Sequence, residues 1–277
     1  MSSRRLNLVF PQWQGSGKRK YLYDGAALIR DRLLDGAPYE EVAVSLEDNI
    51  ELEKGIWGHR QILDQLGDAC RILSKEKPEK IFLIGGDCGT EAAPISYLNK
   101  MYGGDLAVLW LDAHGDLNSP TTSASHNFHG MPLRCLLGDG EESIVGQCFS
   151  TLNASQVILG GVRDLDSPEA EYIQENGIRT LMVDDIEKSP EMAAGAIVSM
   201  GFRNVYVHID VDVLDSGKCP WALCLTPDGI DTPDLMALLK SLKARANIVG
   251  ISIVELKPAE NMDMGPLSEL VDFCMSI

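Results

Sequence analysis

The chain has 277 residues with 41 acidic against 24 basic side chains, a net charge of −17 and 45% apolar content. That balance is ordinary for a globular protein and speaks against nucleic acid or an anionic membrane surface as partner. The N-terminal apolar run is too short for a signal-peptide core and no stretch approaches a transmembrane length, so a reducing, cytoplasmic setting for the seven cysteines is the simplest expectation.

Leu6 to Phe10 reads as a first strand, followed by a Gly/Lys-rich loop from Gln14 to Lys20. Asp24 to Leu34 has helical periodicity and stops at Gly36, and Glu41 to Val44 reads as a short strand. Apolar residues at helical spacing run from Ile56 to Leu73 and end in a Lys/Pro-rich turn. Ile81 to Ile84 leads straight into Gly85, Gly86, Asp87 and Cys88, and Leu106 to Leu111 is an uncharged run of strand length. Met131 to Leu137 reads as helix, Val157 to Leu159 as strand, and Leu181 to Val183 as strand followed by a helix from Pro190 to Met200. Val205 to Asp212 is a strand ending in acids, Asp231 to Leu242 a helix, Ile248 to Val254 the last strand, and Pro266 to Met275 the closing helix.

Buried strands alternating with helices imply an α/β fold with a mostly parallel central sheet between two helical layers. With no repeat and no convincing linker, residues 1–277 read as one domain. Polar clusters repeatedly follow the strands: Asp87 and Cys88, Asp112 to Asn118, Arg163 to Asp166, Asp210 and Asp212, then Glu255. Ligands of open α/β sheets bind beyond the carboxyl ends of the strands, so these clusters should share one crevice.

Asp112, His114 and Asp116 alternate at i, i+2 and i+4, which in extended chain turns two carboxylates and an imidazole to one side. His208, Asp210 and Asp212 repeat the pattern. Carboxylates crowded at core strand ends with few basic residues nearby are costly without a cation. An oxygen-rich set with a minority nitrogen ligand suits Mn²⁺ among the harder divalent ions.

In combination these motifs resemble the ureohydrolases, the family of arginase and agmatinase. The likeness rests on Gly85 to Asp87, Asp112 to Asp116, His129 to Pro132, Asp210 to Asp212 and Glu255, and spans residues 80 to 258. It implies a three-layer α/β/α fold and two Mn²⁺ ions that activate the water attacking a guanidinium carbon. By the same resemblance Asp112 and Asp210 bridge the ions, Asp116 serves the first, and His114 and Asp212 serve the second. His129 would transfer protons and Glu255 would pair with the guanidinium. Asn118, Ser125, Asn127 and Asp166 match the residues with which arginases hold an amino-acid head group. A small guanidino amino acid is the expected substrate, and a trimer or hexamer the expected assembly.

The pattern breaks at Cys88, where the family places a histidine ligand. A thiolate there is softer and favours Zn²⁺, Fe²⁺ or Co²⁺, whereas a neutral thiol leaves one tightly held ion. The Gly-Gly-Asp-Cys variant is similar to the Nω-hydroxy-L-arginine amidinohydrolases, which release hydroxyurea. His126 stands where arginases usually have glycine, and Cys219, Trp221 and Cys224 replace a Gly-rich run. His208 reads either as a support for a metal ligand or as a satisfied core histidine. Agmatine or formimidoylglutamate hydrolysis, and a non-catalytic binding protein on the same scaffold, are the alternatives.

Overall fold

The fold is described from a computed structural model, which covers residues 4–17 and 19–277. The Met1–Ser3 start and Lys18 of the Gly/Lys-rich loop lie outside the described residues. Ten strands occur among the described residues: β1 (Arg5–Phe10), β2 (Glu40–Glu41), β3 (Leu52–Glu53), β4 (Ile56–Trp57), β5 (Lys80–Gly85), β6 (Leu106–Leu111), β7 (Val157–Gly160), β8 (Arg179–Leu181), β9 (Asn204–Ile209) and β10 (Asn247–Ile253). Eight of them form one sheet in the order β2-β1-β5-β10-β9-β6-β7-β8, every pairing parallel. β3 and β4 form a separate antiparallel pair.

Alternation along the strands builds a core on each face. Ile84, Leu109, Val207 and Ile251 pack with Ile29, Ile197, Leu239 and Leu270 from four helices on one side. Leu83, Val108, Trp110 and Tyr206 pack with Leu66, Leu73, Ile95 and Leu98 on the other. The result is the three-layer α/β/α arrangement expected from strands without a polar face.

Several boundaries move for local reasons. The helix expected from Ile56 begins at His59, because Gly58 sits in the left-handed region (φ 68°) and Ile56–Trp57 pair as a strand. The strand expected over Glu41–Val44 shrinks to the edge pair Glu40–Glu41. Val183 opens a helix rather than closing a strand, and the Asp185 carboxylate accepts the Met182 N–H at 3.0 Å. The helix expected from Met131 starts at Pro132, which fits a first helical position because its missing N–H would be unsatisfied there anyway. β6 ends at Leu111 as expected, and β9 ends at Ile209 rather than Asp212, so extended alternation does not gather the acids.

Candidate metal and active site

Five neighbouring strands (β5, β10, β9, β6 and β7) carry the polar clusters at their carboxyl ends. Trp110 pairs with His208 in register, and the exit residues stay level: Asp210 N donates to Leu111 O and Glu255 N to Gly86 O. Three of the strand ends use the same turn. Asp87 Oδ1 accepts from Gly89 N at 2.9 Å, Asp112 Oδ1 from His114 N at 2.7 Å, and Asp210 Oδ1 from Asp212 N at 2.7 Å. An aspartate bonding the backbone two residues on reverses the chain locally. That turn, not strand alternation, is what gathers the side chains.

The backbone is constrained around these turns. A Cβ on Gly86 would lie 1.9 Å from the Gln12 carbonyl oxygen, so only glycine lets β5 exit beside the β1 loop. Asp116 and Glu255 adopt left-handed φ of 53° and 61°. Such conformations cost about 1–3 kcal/mol for a non-glycine residue and persist where surrounding contacts enforce them.

Three donor sets result, within each of which one atom per residue lies within 4.8 Å of the others: Cys88, Asp112, Asp116 and His208; Asp112, His114 and Asp212; and Cys88, Asp210 and Glu255. Asp112 belongs to the first two and therefore links them. His114 Nδ1 lies 3.1 Å from Asp212 Oδ2 and 3.3 Å from Asp112 Oδ1. Cys88 Sγ donates to Asp210 Oδ2 at 3.2 Å, and Glu255 Oε1 receives Cys88 N and faces His129 Nδ1, both at 3.2 Å.

Burial, then the charge of Asp112, pushes the Asp116 carboxyl well above its ordinary range, and burial with Asp212 and Asp112 does the same to Asp210. Asp212 rises to about 6 through burial and Asp112, held back by His114. At Asp112 burial is outweighed by the neighbouring His114 and His208 rings, and the pKa falls. Burial opposes protonation of His129, but the charge and hydrogen bond of Glu255 together with Asp87 outweigh it and raise the pKa. Burial also drives the Cys88 thiol up. Asp116 Oδ2 and Glu255 Oε2 are buried with no hydrogen-bond partner. Arg163 does not relieve them: its guanidinium donates to the carbonyls of Asp212 at 2.7 Å, Thr226 at 2.9 Å and Pro227 at 2.7 Å. Orphaned buried oxygens within ligand-type donor sets fit a pair of divalent cations.

A cavity of about 220 Å³ opens over these groups, and no Lys or Arg among the described residues lines it. Asn118, Ser125, Asp166 and His129 line it too; Asn127 does not, lining instead a neighbouring depression with Trp57 and Arg19. Asn118 Nδ2 donates to Asp166 Oδ2 at 3.0 Å, and Asp166 sits at the N-cap of the helix Ser167–Asn176. His126 leaves the mouth clear, because its φ of 58° turns the ring to the Gly55 carbonyl at 3.0 Å. Cys224 reaches the cavity wall, whereas Cys219 is buried against Thr232 Oγ1.

Sequence reasoning placed Asp87 in a polar cluster without giving it a role, and missed Glu91 and Glu169. Asp87 lies under the site, accepts Gly15 N at 2.8 Å, and is pushed up to about 8 by burial and Glu255. Glu169 accepts Leu117 N at 3.1 Å and Asp166 N at 3.0 Å, bracing the loop after β6. The alternating polar residues Asn204, Tyr206, His208 and Asp210 were the available signal for Glu91, which meets two of them.

A parallel sheet covered on both faces, with its polar chemistry beyond the central strand ends, defines the class of α/β proteins that bind ligands in a crevice at the sheet's carboxyl edge. The Arginase family matches residues 20–266. An arginase of Staphylococcus aureus (strain MRSA252) is 32% identical over 206 residues, 70% of this chain and 68% of the relative. The solved Entamoeba histolytica arginase in complex with L-ornithine superposes with a TM-score of 0.86 at 20% identity, over 100% of this chain and 98% of that one. For Bacillus subtilis arginase the TM-score is 0.82 at 23% identity, over 99% and 97%. The chain belongs to the arginase family, hydrolases acting on guanidino and amidino bonds.

Proposed function

We propose that the chain is a metal-dependent amidinohydrolase that cleaves the guanidino group of arginine or of Nω-hydroxyarginine, releasing urea or hydroxyurea. The observation carrying this reading is Glu255, whose Oε2 is buried without a partner beside the ligand sets. A guanidinium offers paired donors that suit such an acceptor through charge-assisted bonds. Bound divalent cations, held by Asp112, Asp116, Asp210, Asp212, His114 and Cys88, would lower the pKa of a shared water towards neutrality. Mn²⁺ suits the set built on His114 and carboxylates.

The chain's own groups do the rest. Glu255 orients the guanidinium carbon towards the ligand sets. His129, held 3.2 Å from Glu255 and raised in pKa by it, is the group placed to supply a proton to the leaving amine. Asp166 faces an α-ammonium, and Asn118 and Ser125 an α-carboxylate. Formimidoylglutamate fits less well, since its extra carboxylate would meet no Lys or Arg among the described lining residues. A hydroxyguanidine, with its lower pKa, tolerates the weaker water activation that Cys88 implies.

Mn²⁺-reconstituted protein is expected to release urea from arginine or hydroxyurea from Nω-hydroxyarginine. No product from either, nor from agmatine, overturns the reading. Activity that emerges only in Cys88→His supports a non-catalytic parent, and activity in the parent excludes that alternative.

A further inference from the structure

Among the fully buried polar side chains, His208 has one nitrogen fixed and the other unused. Its Nδ1 lies 2.8 Å from Glu91 Oε1, and Tyr206 Oη donates to Glu91 Oε2 at 2.6 Å. Both Glu91 oxygens are thus engaged, which holds a proton on Nδ1 and leaves Nε2 as the nitrogen able to offer a lone pair. The ring is clamped by stacking on Trp110, centroids 3.7 Å apart and planes 22° from parallel. Nε2 is aimed between Asp112 Oδ2 at 3.7 Å and Cys88 Sγ at 4.0 Å. The first distance is too long for a hydrogen bond. Ligand atoms that each lie about 2.0–2.3 Å from one ion are separated by about 3–4 Å in a tetrahedral site. The fourth member, Asp116, brings an oxygen with no partner in the protein.

We infer that His208 Nε2 is a direct ligand of the first ion, completing a Cys88, His208, Asp112, Asp116 site, with Glu91 as the residue that positions its ring. The carboxylate–imidazole–metal arrangement is a recurrent way of fixing a ligand's tautomer and orientation. A sulfur–nitrogen–oxygen set is softer than the oxygen-rich set around His114 and favours Zn²⁺, Fe²⁺ or Co²⁺ over Mn²⁺. The two halves of the centre are therefore chemically unequal, Asp112 being the carboxylate between them. This deepens the metal-dependent reading above and rests on it.

The test loads the full chain with Cd²⁺ and reads nitrogen–cadmium scalar coupling by NMR. Two histidines should couple, His114 through Nδ1 and His208 through Nε2, with His208 Nδ1 still protonated. His208→Ala should carry one ion where the parent carries two. Glu91→Gln should weaken one ion about 10–100-fold and leave the other unchanged. The coupling is measured on the unaltered protein, so misfolding of a variant leaves the test intact. An uncoupled His208 in cadmium-loaded protein, two ions retained in a folded His208→Ala, or no uptake of Cd²⁺ overturns the inference. Coupling without turnover of any guanidine overturns only the substrate reading. Turnover with His208 uncoupled overturns only the ligand assignment.

Discussion

Glu141 and Asp116 are both carboxylates held inside the protein, but their surroundings differ in kind. Glu141 receives Lys54 Nζ at 2.9 Å, His59 Nε2 at 3.0 Å, Ser143 N at 3.0 Å and Ile144 N at 3.1 Å. Those donors hold its pKa down at about 2 against the pull of burial. Asp116 leaves Oδ2 unpartnered, with Asp112, Glu169 and Glu255 as its acidic neighbours, and burial pushes its pKa up. One acid is satisfied from within the chain, and the other is left with an open acceptor. Acidity in the interior therefore says little about function until the donors are counted.

Removing one acid from the unsatisfied cluster should break that contrast most sharply. Asp210→Asn is expected to lower turnover by about 1,000-fold or more, the scale of losing a preorganised electrostatic group. The same change should raise the Tm of chelator-treated protein by about 2–4 °C, because it relieves the repulsion among Asp210, Asp212, Asp112 and Glu255. A Tm that falls instead would mean that Asp210 is satisfied by the protein itself. Next in size is the effect of the ions. Divalent metal at about a thousand times its Kd should add about 4 kcal/mol of stability, seen as a chelator-reversible shift in calorimetry. Glu141→Gln should leave that shift unchanged.

The same contrast explains what could be read from the chain. Asp112, His114, Asp116, Asp210 and Asp212 were legible because their spacing is local and each pair closes a short turn. The strands were legible because both faces are apolar, as in Leu106 to Leu111. Glu91 was hidden: it meets Tyr206 and His208 across 115 and 117 residues, a distance over which no spacing rule operates. Asn127 was misplaced for a backbone reason. The left-handed turn at His126 directs the next residue towards Gly17 and Trp57, away from the cavity that Ser125 lines. Glu141 gave no sign at all, because its donors Lys54 and His59 come from a segment more than eighty residues earlier.

On the satisfied side, Glu141→Gln should leave turnover intact and cost about 1–3 kcal/mol, since an amide presents hydrogens where Lys54 and His59 also donate. Thermal unfolding at neutral pH should then show a Tm a few degrees lower. Glu255→Gln, by contrast, should remove activity with little loss of stability, because its Oε2 has no bond to lose.

The smallest effect is one of pH. Glu141 has an ordinary carboxyl pKa of 4.5 when unfolded and about 2 in the folded protein. Its stabilising contribution is therefore complete above pH 4.5 and drains away as the pH falls towards 2, where the folded form must also take up the proton. The parent should lose stability across that window more steeply than Glu141→Gln, and the two unfolding curves should converge near its lower end. Parallel curves from pH 7 to pH 2 would show that the Lys54, His59 and Ser143 donors do not act on an ionised Glu141. The measurement belongs in chelator-treated protein, so that loss of ions from the carboxylates at the strand ends does not fall in the same pH range.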